Sequence, residues 1–436
     1  MNSLNIRQRF ISPAAQAAWL WLWSAAAGAL AVLATTGFRW LARWVDWLAT
    51  GERADGLVAS ARGLAPWHRA LVCAAGGLLA GALLQAGLAW ARRGPRGDQH
   101  LDYMDAARAG NPELNDRTTL ARSVSALVSI GTGASIGREG PMVQLAAWFA
   151  SWPARWLPFT AQQRNAIMVA GVAAGIGCAY RAPIAGVVFV LELALGFFAS
   201  ETIAPVFIAS ATAGALTYWL GESAPLYAMP AVALGPADLG LALAAGVFFG
   251  AVAWVLTGLL EAARKLFARI PSLTLRLGAG GALVGLVSMA VPEVWGNGYS
   301  VVARVLQGPL LWQALTAILI AKVAATALSS GSGAIGGVFT PSLLVGAAAG
   351  SLAAQAALPW LPPDVMGDPR ALAVIGMAAV LAGVTHAPLM AIVMVLEITR
   401  QFQLTVPVML ASSVAFSIST RFGVRPIYGN PIEGRR

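Results

Sequence analysis

Two short glycine-rich segments contain the groups that could bind an anion. Gly131–Pro141 reads GTGASIGREGP, and Gly331–Pro341 reads GSGAIGGVFTP. In each segment, glycines leave backbone N–H groups uncovered shortly before a proline, which is favoured at the first position of a helix, so we predict that helices begin at Pro141 and Pro341. A helix N-terminus carries about half a positive charge and free amides. Two such ends meeting would form an anion site without a full positive charge.

The predicted position of this site suits conduction. From Pro141 to the break at Ser151–Pro153, the first helix would be about 11 residues and roughly 16 Å long, which is half of a membrane span. Its N-terminus would therefore lie in the interior of the bilayer. Helix dipoles bind an anion weakly enough to release it, whereas a buried arginine would hold it too tightly.

Glu139 lies two residues before Pro141, in the same segment. Its carboxylate could occupy the place that a permeating anion needs, and protonation would remove the competition and the repulsion. Glu139 is therefore a candidate gate and a candidate proton carrier. The alternative is an ordinary capping carboxylate that neutralises a helix dipole. Phe339 at the corresponding position of the second segment favours the gate.

An internal repeat relates the two halves of the chain. The two glycine-rich segments overlay without gaps at an offset of 200 residues, and Arg181–Glu192 overlays His386–Glu397 at an offset of 205 residues. We predict two related repeats, at 14–220 and 229–420, within a single transmembrane domain that covers 1–436. Paired Gly/Pro-interrupted segments in membrane repeats point to a binding site at the midplane, between the repeats.

The composition requires a membrane protein. Of 436 residues, 58% are hydrophobic and 11% are charged, whereas a soluble domain carries roughly 25% charge. We place the first span at Ala14–Gly37, with Trp40, Trp44 and Trp47 just after it in an aromatic belt. Later apolar runs include one at 229–260, and several are too short to cross a bilayer. The fold class is therefore an all-α polytopic membrane protein with broken, tilted helices in two repeats, which we expect to be inverted.

The distribution of basic residues indicates the membrane topology of the chain. Basic residues cluster near Arg92, near Arg264 and near Arg421 in short polar breaks between apolar runs, which indicates cytoplasmic segments. Both termini are then expected inside, with no cytoplasmic regulatory domain after the last span. This distribution argues against nucleic acid as a partner. Three His and two Cys are too few and too scattered for a metal cluster, so no metal and no cofactor are predicted.

A polytopic membrane enzyme or scaffold is the remote alternative. Ser332 and His386 could form a serine-protease pair, but His386 corresponds to Arg181 in the repeat, which favours a structural role before Ala-Pro. The glycines would then only permit close helix packing. Glu192 and Glu397 occupy equivalent repeat positions, which favours a shared structural or dimer-proximal role for both.

These segments resemble a known family. GREGP at Gly137–Pro141, GVFTP at Gly337–Pro341 and Tyr428 near the C-terminus are similar to the signature segments of the CLC chloride channels and chloride/proton antiporters. The resemblance covers essentially the whole chain, and Asp102-Tyr-Met and Trp295–Ser300 look most like its bacterial ClcB-type branch. It implies a multi-pass homodimer in the lipid of the bacterial inner membrane, with chloride and similar anions as the transported ligand.

The resemblance also implies the site residues. Glu139 would gate a voltage- or pH-gated channel. The expected anion-binding residues are Gly137, Arg138, Gly140, Val338, Phe339 and Tyr428, although Arg138 is better interpreted as a structural partner of a carboxylate or of carbonyls. The family's upstream serine ligand has no counterpart in Gly97–Leu101 and stays unassigned. Leu193 stands where the family's antiporters have their inner proton acceptor, which favours a channel; the antiporter remains the alternative.

Overall fold

The computed structural model describes residues 13–52, 54, 56–94, 102–195, 200–235, 238–360 and 367–428. Regular structure in these ranges is helical, apart from one isolated bridge between Gly137 and Gly337. The predicted all-helical fold is therefore confirmed. The segment Gly97–Leu101, where a serine ligand was sought, lies outside the described residues.

Nine helices precede residue 220 in the described ranges. They are α1 (Pro13–Thr50), α2 (Leu57–Gly63), α3 (Pro66–Arg92), α4 (Tyr103–Ala109), α5 (Asp116–Gly131), α6 (Glu139–Ala154), α7 (Ala161–Tyr180), α8 (Pro183–Phe189) and α9 (Ser200–Trp219). A π-helical turn, Val190–Ala194, continues α8.

Eight helices follow in the described part of the second half. They are α10 (Asp238–Phe267), α11 (Leu273–Ala290), α12 (Tyr299–Gln307), α13 (Trp312–Gly331), α14 (Phe339–Ala357), α15 (Arg370–Thr385), α16 (Pro388–Thr399) and α17 (Thr405–Arg421). Seven of the described helices, α1, α3, α9, α10, α11, α13 and α17, are long and apolar enough to cross a membrane.

Two helix boundaries differ from the apolar runs in the sequence, and the predicted end of the first span is wrong. The first span does not end at Gly37, because α1 continues for 38 residues to Thr50 and packs its Val45 closely against Gly131. Trp40, Trp44 and Trp47 therefore lie on one continuous helix, where neighbouring rings make tilted and edge-on contacts. The apolar run at 229–260 becomes helical only at Asp238.

The segment before α10 has a different set of backbone partners. The amide of Val232 donates to the Gln401 side chain, and the Gln401 amide nitrogen donates to the carbonyl of Pro230. These contacts reach across to the end of the second half, so tertiary hydrogen bonds replace the helical ones that the apolar composition favoured.

The basic clusters lie at one end of the helix bundle. Helices α3 and α11 are antiparallel, because Gly77 packs on Leu277 while Gly81 packs on Thr274. Helices α10 and α17 are parallel, because Gly246 and Gly250 pack on successive turns of α17. The C-terminal ends of α3, α10 and α17 therefore share one end with the start of α11. We name it the basic end, and the positive-inside rule predicts that it is cytoplasmic.

The helix pair α5–α6 approaches the centre from the basic end. Arg117, at the start of α5, donates to the carbonyl of Trp90, and Thr132, just after α5, packs on Gly76 in the first half of α3. Helix α6 then returns along α5, since Arg155 forms a 2.7 Å ion pair with Asp116.

The pair α13–α14 approaches from the opposite end. Lys322 of α13 donates to the carbonyl of Val294, beyond the end of α11, whereas Ser332 packs on Gly280 near the middle of α11. Helix α14 returns, because Gln355 donates to the carbonyl of Leu310, which precedes α13. The two pairs thus enter with inverted orientation and meet at the centre.

Candidate functional site

The two glycine-rich segments meet through their backbones. The amide of Gly137 donates to the carbonyl of Gly337 at 2.6 Å, and the amide of Gly337 donates back to Gly137 at 2.9 Å. This reciprocal pair places the N-termini of α6 and α14 side by side. Gly137 is required there, because a Cβ at this position would lie 1.8 Å from Oε2 of Glu139 and 3.0 Å from the Gly337 carbonyl oxygen.

Both helices begin two residues before their prolines, so the predicted starts at Pro141 and Pro341 are wrong. Helix α6 begins at Glu139 and α14 at Phe339. Each proline occupies the third helical position, where its missing N–H would also have had no intrahelical acceptor. Glu139 is therefore part of the first helical turn rather than of the preceding loop.

Helix α6 is also longer than a half-membrane helix. It contains 16 residues and continues through Pro153 to Ala154, which corresponds to roughly 24 Å. The predicted break at Ser151–Pro153 does not occur, because a proline in the last turn of α6 removes only one helical hydrogen bond. The N-terminus still lies in the interior, since α5 and α6 enter and leave from the basic end.

The Glu139 carboxylate lies on the paired helix ends. Its side chain is 5% exposed. Oε1 accepts hydrogen bonds from Asn297 Nδ2 at 3.0 Å and from the hydroxyl of Thr340. Oε2 is buried against Gly137 and has no hydrogen-bond partner in the part of the chain that the structure describes. The carboxylate thus has one anchored oxygen and one unpaired oxygen.

The second half contributes to this anchor. Thr340, the neighbour of Phe339, hydrogen-bonds both to Glu139 and, at 3.2 Å, to the hydroxyl of Tyr180. Phe339 is buried, with its ring 4.9 Å from the Tyr180 ring. A carboxylate of one half is therefore held by a hydroxyl of the other.

The predicted anion-binding residues differ in what they present. The amides of Val338 and Phe339 have no acceptor among the described residues, so they are available to an anion. The amide of Gly137 is already bound to Gly337. Gly140 and Tyr428 line a cavity of about 130 Å³ next to Gly337.

Arg138 has no fixed partner in the described residues. Its half-buried side chain forms no hydrogen bond or ion pair there, although it interacts electrostatically with Glu139 and with Glu222. The sequence analysis expected a carboxylate or carbonyls as the partner of Arg138, and of these only carboxylates interact with it electrostatically. Glu222 itself is paired with Arg39 at 3.0 Å and with Arg181 at 3.1 Å. Burial raises the pKa of Glu222, but the hydrogen bonds and charges of these two arginines outweigh it and hold the pKa below its usual value.

Sequence reasoning identified Tyr428 but missed the other tyrosines near Glu139. Of six tyrosines in the chain, four are close enough to interact electrostatically with Glu139. They are Tyr103, Tyr180, Tyr227 and Tyr428. The Tyr227 hydroxyl is buried without a partner in the described residues, and its ring stacks on Tyr299. The available signal in the sequence was the position of these tyrosines. They lie far apart along the chain and outside the Trp-rich segments expected at the membrane interfaces.

Asn297 and Lys322 were also missed. Lys322 is fully buried and donates to the carbonyls of Val294 and Gly296, at 2.9 and 2.6 Å. It thereby fixes the loop whose next residue, Asn297, donates to Glu139. A lysine in the middle of an apolar helix was the signal in the sequence.

Glu192 and Glu397 form a reciprocal pair of caps. Glu192 accepts hydrogen bonds from the amides of Leu389 and Met390 at the start of α16. Glu397 accepts from Ile184 and Ala185 at the start of α8. Each half thus caps a helix of the other, which agrees with the shared structural role expected from their repeat positions.

Ser332 and His386 are not brought together as a catalytic pair. The Ser332 hydroxyl donates to the carbonyl of Ser329, whereas His386 contacts the Ser419 hydroxyl at 3.3 Å. His386 ends α15 in the left-handed conformation with φ 56°, and Arg181 ends α7 in the same way with φ 55°. The two residues therefore share a helix-terminating geometry.

Comparison with known proteins supports a single family. The family model described as "Voltage gated chloride channel" matches residues 76–420. A ClcB-like chloride channel protein of Ralstonia nicotianae is 44% identical over 420 residues, which cover 94% of this chain and 95% of that protein. The voltage-gated ClC-type chloride channel ClcB of Escherichia coli is 36% identical over 405 residues, covering 92% and 96%.

Solved structures share the fold. A slow cyanobacterial Cl⁻/H⁺ antiporter superimposes with a TM-score of 0.79 at 20% identity, covering 94% of this chain and 96% of that one. A CLC-type fluoride/proton antiporter superimposes with a TM-score of 0.74 at 24% identity, covering 94% and 97%. At these identities the likeness concerns the architecture.

Proposed function

Because this chain belongs to the voltage-gated chloride channel (CLC) family, as a multi-pass bacterial membrane protein of its ClcB-like branch, we propose that it conducts chloride between the N-termini of α6 and α14. Glu139 is the proposed gate. We also propose that it works as a homodimer in the inner membrane.

One observation carries this proposal, namely the position of the Glu139 carboxylate. It lies across the paired helix ends, next to Gly137. An alanine methyl group at position 337 would lie only 3.6 Å from Oε2 of Glu139. A negative group there occupies the positive ends of two helix dipoles, which is where a chloride ion would be most stable. The structure therefore fits a closed gate in which a tethered anion replaces the permeating one.

Protonation would open this gate. A neutral Glu139 no longer competes for the helix ends and no longer repels chloride. Chloride could then be held by the free amides of Val338 and Phe339 and by hydroxyl groups. Weak binding by dipoles and neutral donors is compatible with release on both sides.

We propose passive conduction rather than exchange. Leu193 cannot carry a proton, and both oxygens of the neighbouring Glu192 are engaged by amides of α16. Chloride/proton antiport is the second candidate, favoured by the buried, unpaired Oε2 of Glu139, which offers a place for a transported proton.

The test is chloride efflux from liposomes that contain the purified protein, followed by reversal potentials under opposed chloride and proton gradients. We expect efflux that rises as pH falls, with a reversal potential that follows chloride alone. A reversal potential that moves with the proton gradient would replace the channel by the antiporter. Absence of chloride efflux at every pH would refute the proposed function, and cross-linking in native membranes checks the dimer.

A further inference from the structure

A cavity lies beside the gate, toward the helices that enter from the basic end. Its volume is about 130 Å³, and Gly140, Gly337, Tyr103 and Tyr428 are among the residues that line it. It therefore contacts the first turn of α6, the bridge to the second half, and two tyrosines from distant parts of the chain.

Tyr103 is anchored at this cavity through its backbone. Its amide donates to Oε1 of Gln144 at 2.8 Å, and the Gln144 side chain in turn donates to Thr119 at 3.1 Å. Gln144 belongs to α6, so the first residue of α4 is attached to the helix whose N-terminus forms the site. Tyr103 is 7% exposed.

The hydroxyls at this cavity lack acceptors. Neither the Tyr103 hydroxyl nor the Tyr428 hydroxyl forms a hydrogen bond within the described residues, and both lie near Glu139. The ring of Tyr428 packs edge-on against the ring of Phe189, with 5.8 Å between the ring centroids. Two hydroxyls without a protein acceptor beside one cavity leave two donors for a ligand that accepts hydrogen bonds.

We propose that the Tyr103 hydroxyl is a ligand of the permeating anion, acting together with Tyr428. This inference rests on the proposed function. It assigns the hydroxyl donor that Gly97–Leu101 does not offer in sequence to a tyrosine at the start of α4. Asp102 also lines the cavity, but its Oδ1 accepts hydrogen bonds from the amides of Met104 and Asp105.

Charge at the cavity is compatible with an anion. Arg122 lines it as well, and its side chain forms no ion pair within the described residues. Arg122 and Asp102 contribute one positive and one negative charge to the lining, so that the hydroxyls face a cavity without a net negative wall.

The experiment compares Tyr103→Phe, Tyr428→Phe and the double variant with Tyr218→Phe as the matched control. Tyr218→Phe loses one hydroxyl in the same way, but Tyr218 is 65% exposed and does not line the cavity. Chloride affinity is measured by calorimetry in detergent, and bromide is located by anomalous diffraction. Loss of a hydrogen bond to an ion corresponds to a change of about tenfold in affinity. We expect that change for each single variant, a larger one for the double variant, and none for Tyr218→Phe.

Two results would overturn the proposal. One is wild-type affinity in Tyr103→Phe, and the other is bromide in the wild-type crystal that lies beyond hydrogen-bond distance from the Tyr103 hydroxyl. The second measurement does not depend on the folding of any variant. If either occurs while wild-type liposomes still conduct chloride, Tyr103 is excluded and the proposed function stands. If wild-type protein neither binds bromide nor conducts chloride, the proposed function itself has failed.

Discussion

The α5–α6 and α13–α14 pairs have the same backbone and different chemistry. Gly133 and Gly333 both adopt positive φ, at 96° and 90°. The following residues, Ala134 and Ala334, donate to equivalent serine carbonyls at 2.9 and 3.2 Å. Two residues after the bridging glycine, one pair carries Glu139 and the other carries Phe339.

In the proposed function, this difference separates the anion site from its gate. The symmetric part, formed by the Gly137–Gly337 bridge and two helix ends, would create positive potential for an anion. The asymmetric part would supply one carboxylate that competes with the anion, whereas the Phe339 side chain packs on Tyr180. The hydroxyl of Thr340 links the two, because the apolar half provides a donor that holds the acidic side chain.

The largest effect is expected where the asymmetry is removed. Glu139→Gln should raise chloride flux several-fold at neutral pH and make it nearly independent of pH, since a neutral amide mimics the protonated carboxylate. Stopped-flow or electrode measurements of liposome efflux between pH 4.5 and pH 7.5, chosen as roughly spanning glutamate titration, give the profile.

The matched change in the other half is Phe339→Leu. It should keep the pH dependence of the wild type, because it removes no titratable group. A Glu139→Gln variant with an unchanged pH profile would remove Glu139 from the gate.

The two bridging glycines should respond unequally. In Gly137→Ala the new methyl group would collide with Glu139 Oε2, whereas in Gly337→Ala it would lie 3.6 Å from that atom, an ordinary contact. Gly137→Ala should therefore displace the carboxylate and raise flux at neutral pH, while Gly337→Ala should stay near the wild type. Equal effects of the two alanines in the same efflux assay would show that the bridge, not the carboxylate, controls flux.

Asn297→Ala should have a moderate effect. It removes a hydrogen bond that holds the carboxylate across the helix ends, so flux at neutral pH should rise, but less than in Glu139→Gln. The same efflux assay measures the change. Flux in Asn297→Ala that stays at the wild-type level or falls would contradict the donor role of Asn297.

The smallest effect on transport is expected where the halves are symmetric. Glu192→Ala and Glu397→Ala each remove a carboxylate that accepts from two helix amides, so each should cost about 1–2 kcal/mol of stability. The apparent melting temperature in detergent should fall by similar amounts in both, with chloride selectivity unchanged. A loss of flux in Glu192→Ala alone would indicate a transport role that Glu397 lacks.

Local sequence predicted most of the framework. Hydrophobic runs determined which segments become helices, and the Gly/Pro pattern identified both halves of the site. The repeat also singled out Glu139 against Phe339. The failures were boundaries: α1 ran beyond Gly37, α6 ran through Pro153, and both site helices began before their prolines. Helix ends depend on tertiary contacts as well as on the breaker residues that sequence reveals.

The sequence by itself determined a membrane-embedded, two-part helical protein with one acidic residue at a glycine-rich helix start. Only the tertiary structure decided that Gly137 and Gly337 pair, that Asn297 and Thr340 hold the carboxylate, and that Tyr103 reaches the adjoining cavity. The physical reason is the distance along the chain over which sequence signals act. Periodicity and helix-start signals act within a few residues, whereas these partners lie from 36 to 201 residues away from Glu139 along the chain. No spacing rule relates residues that meet only when inverted helix pairs pack together.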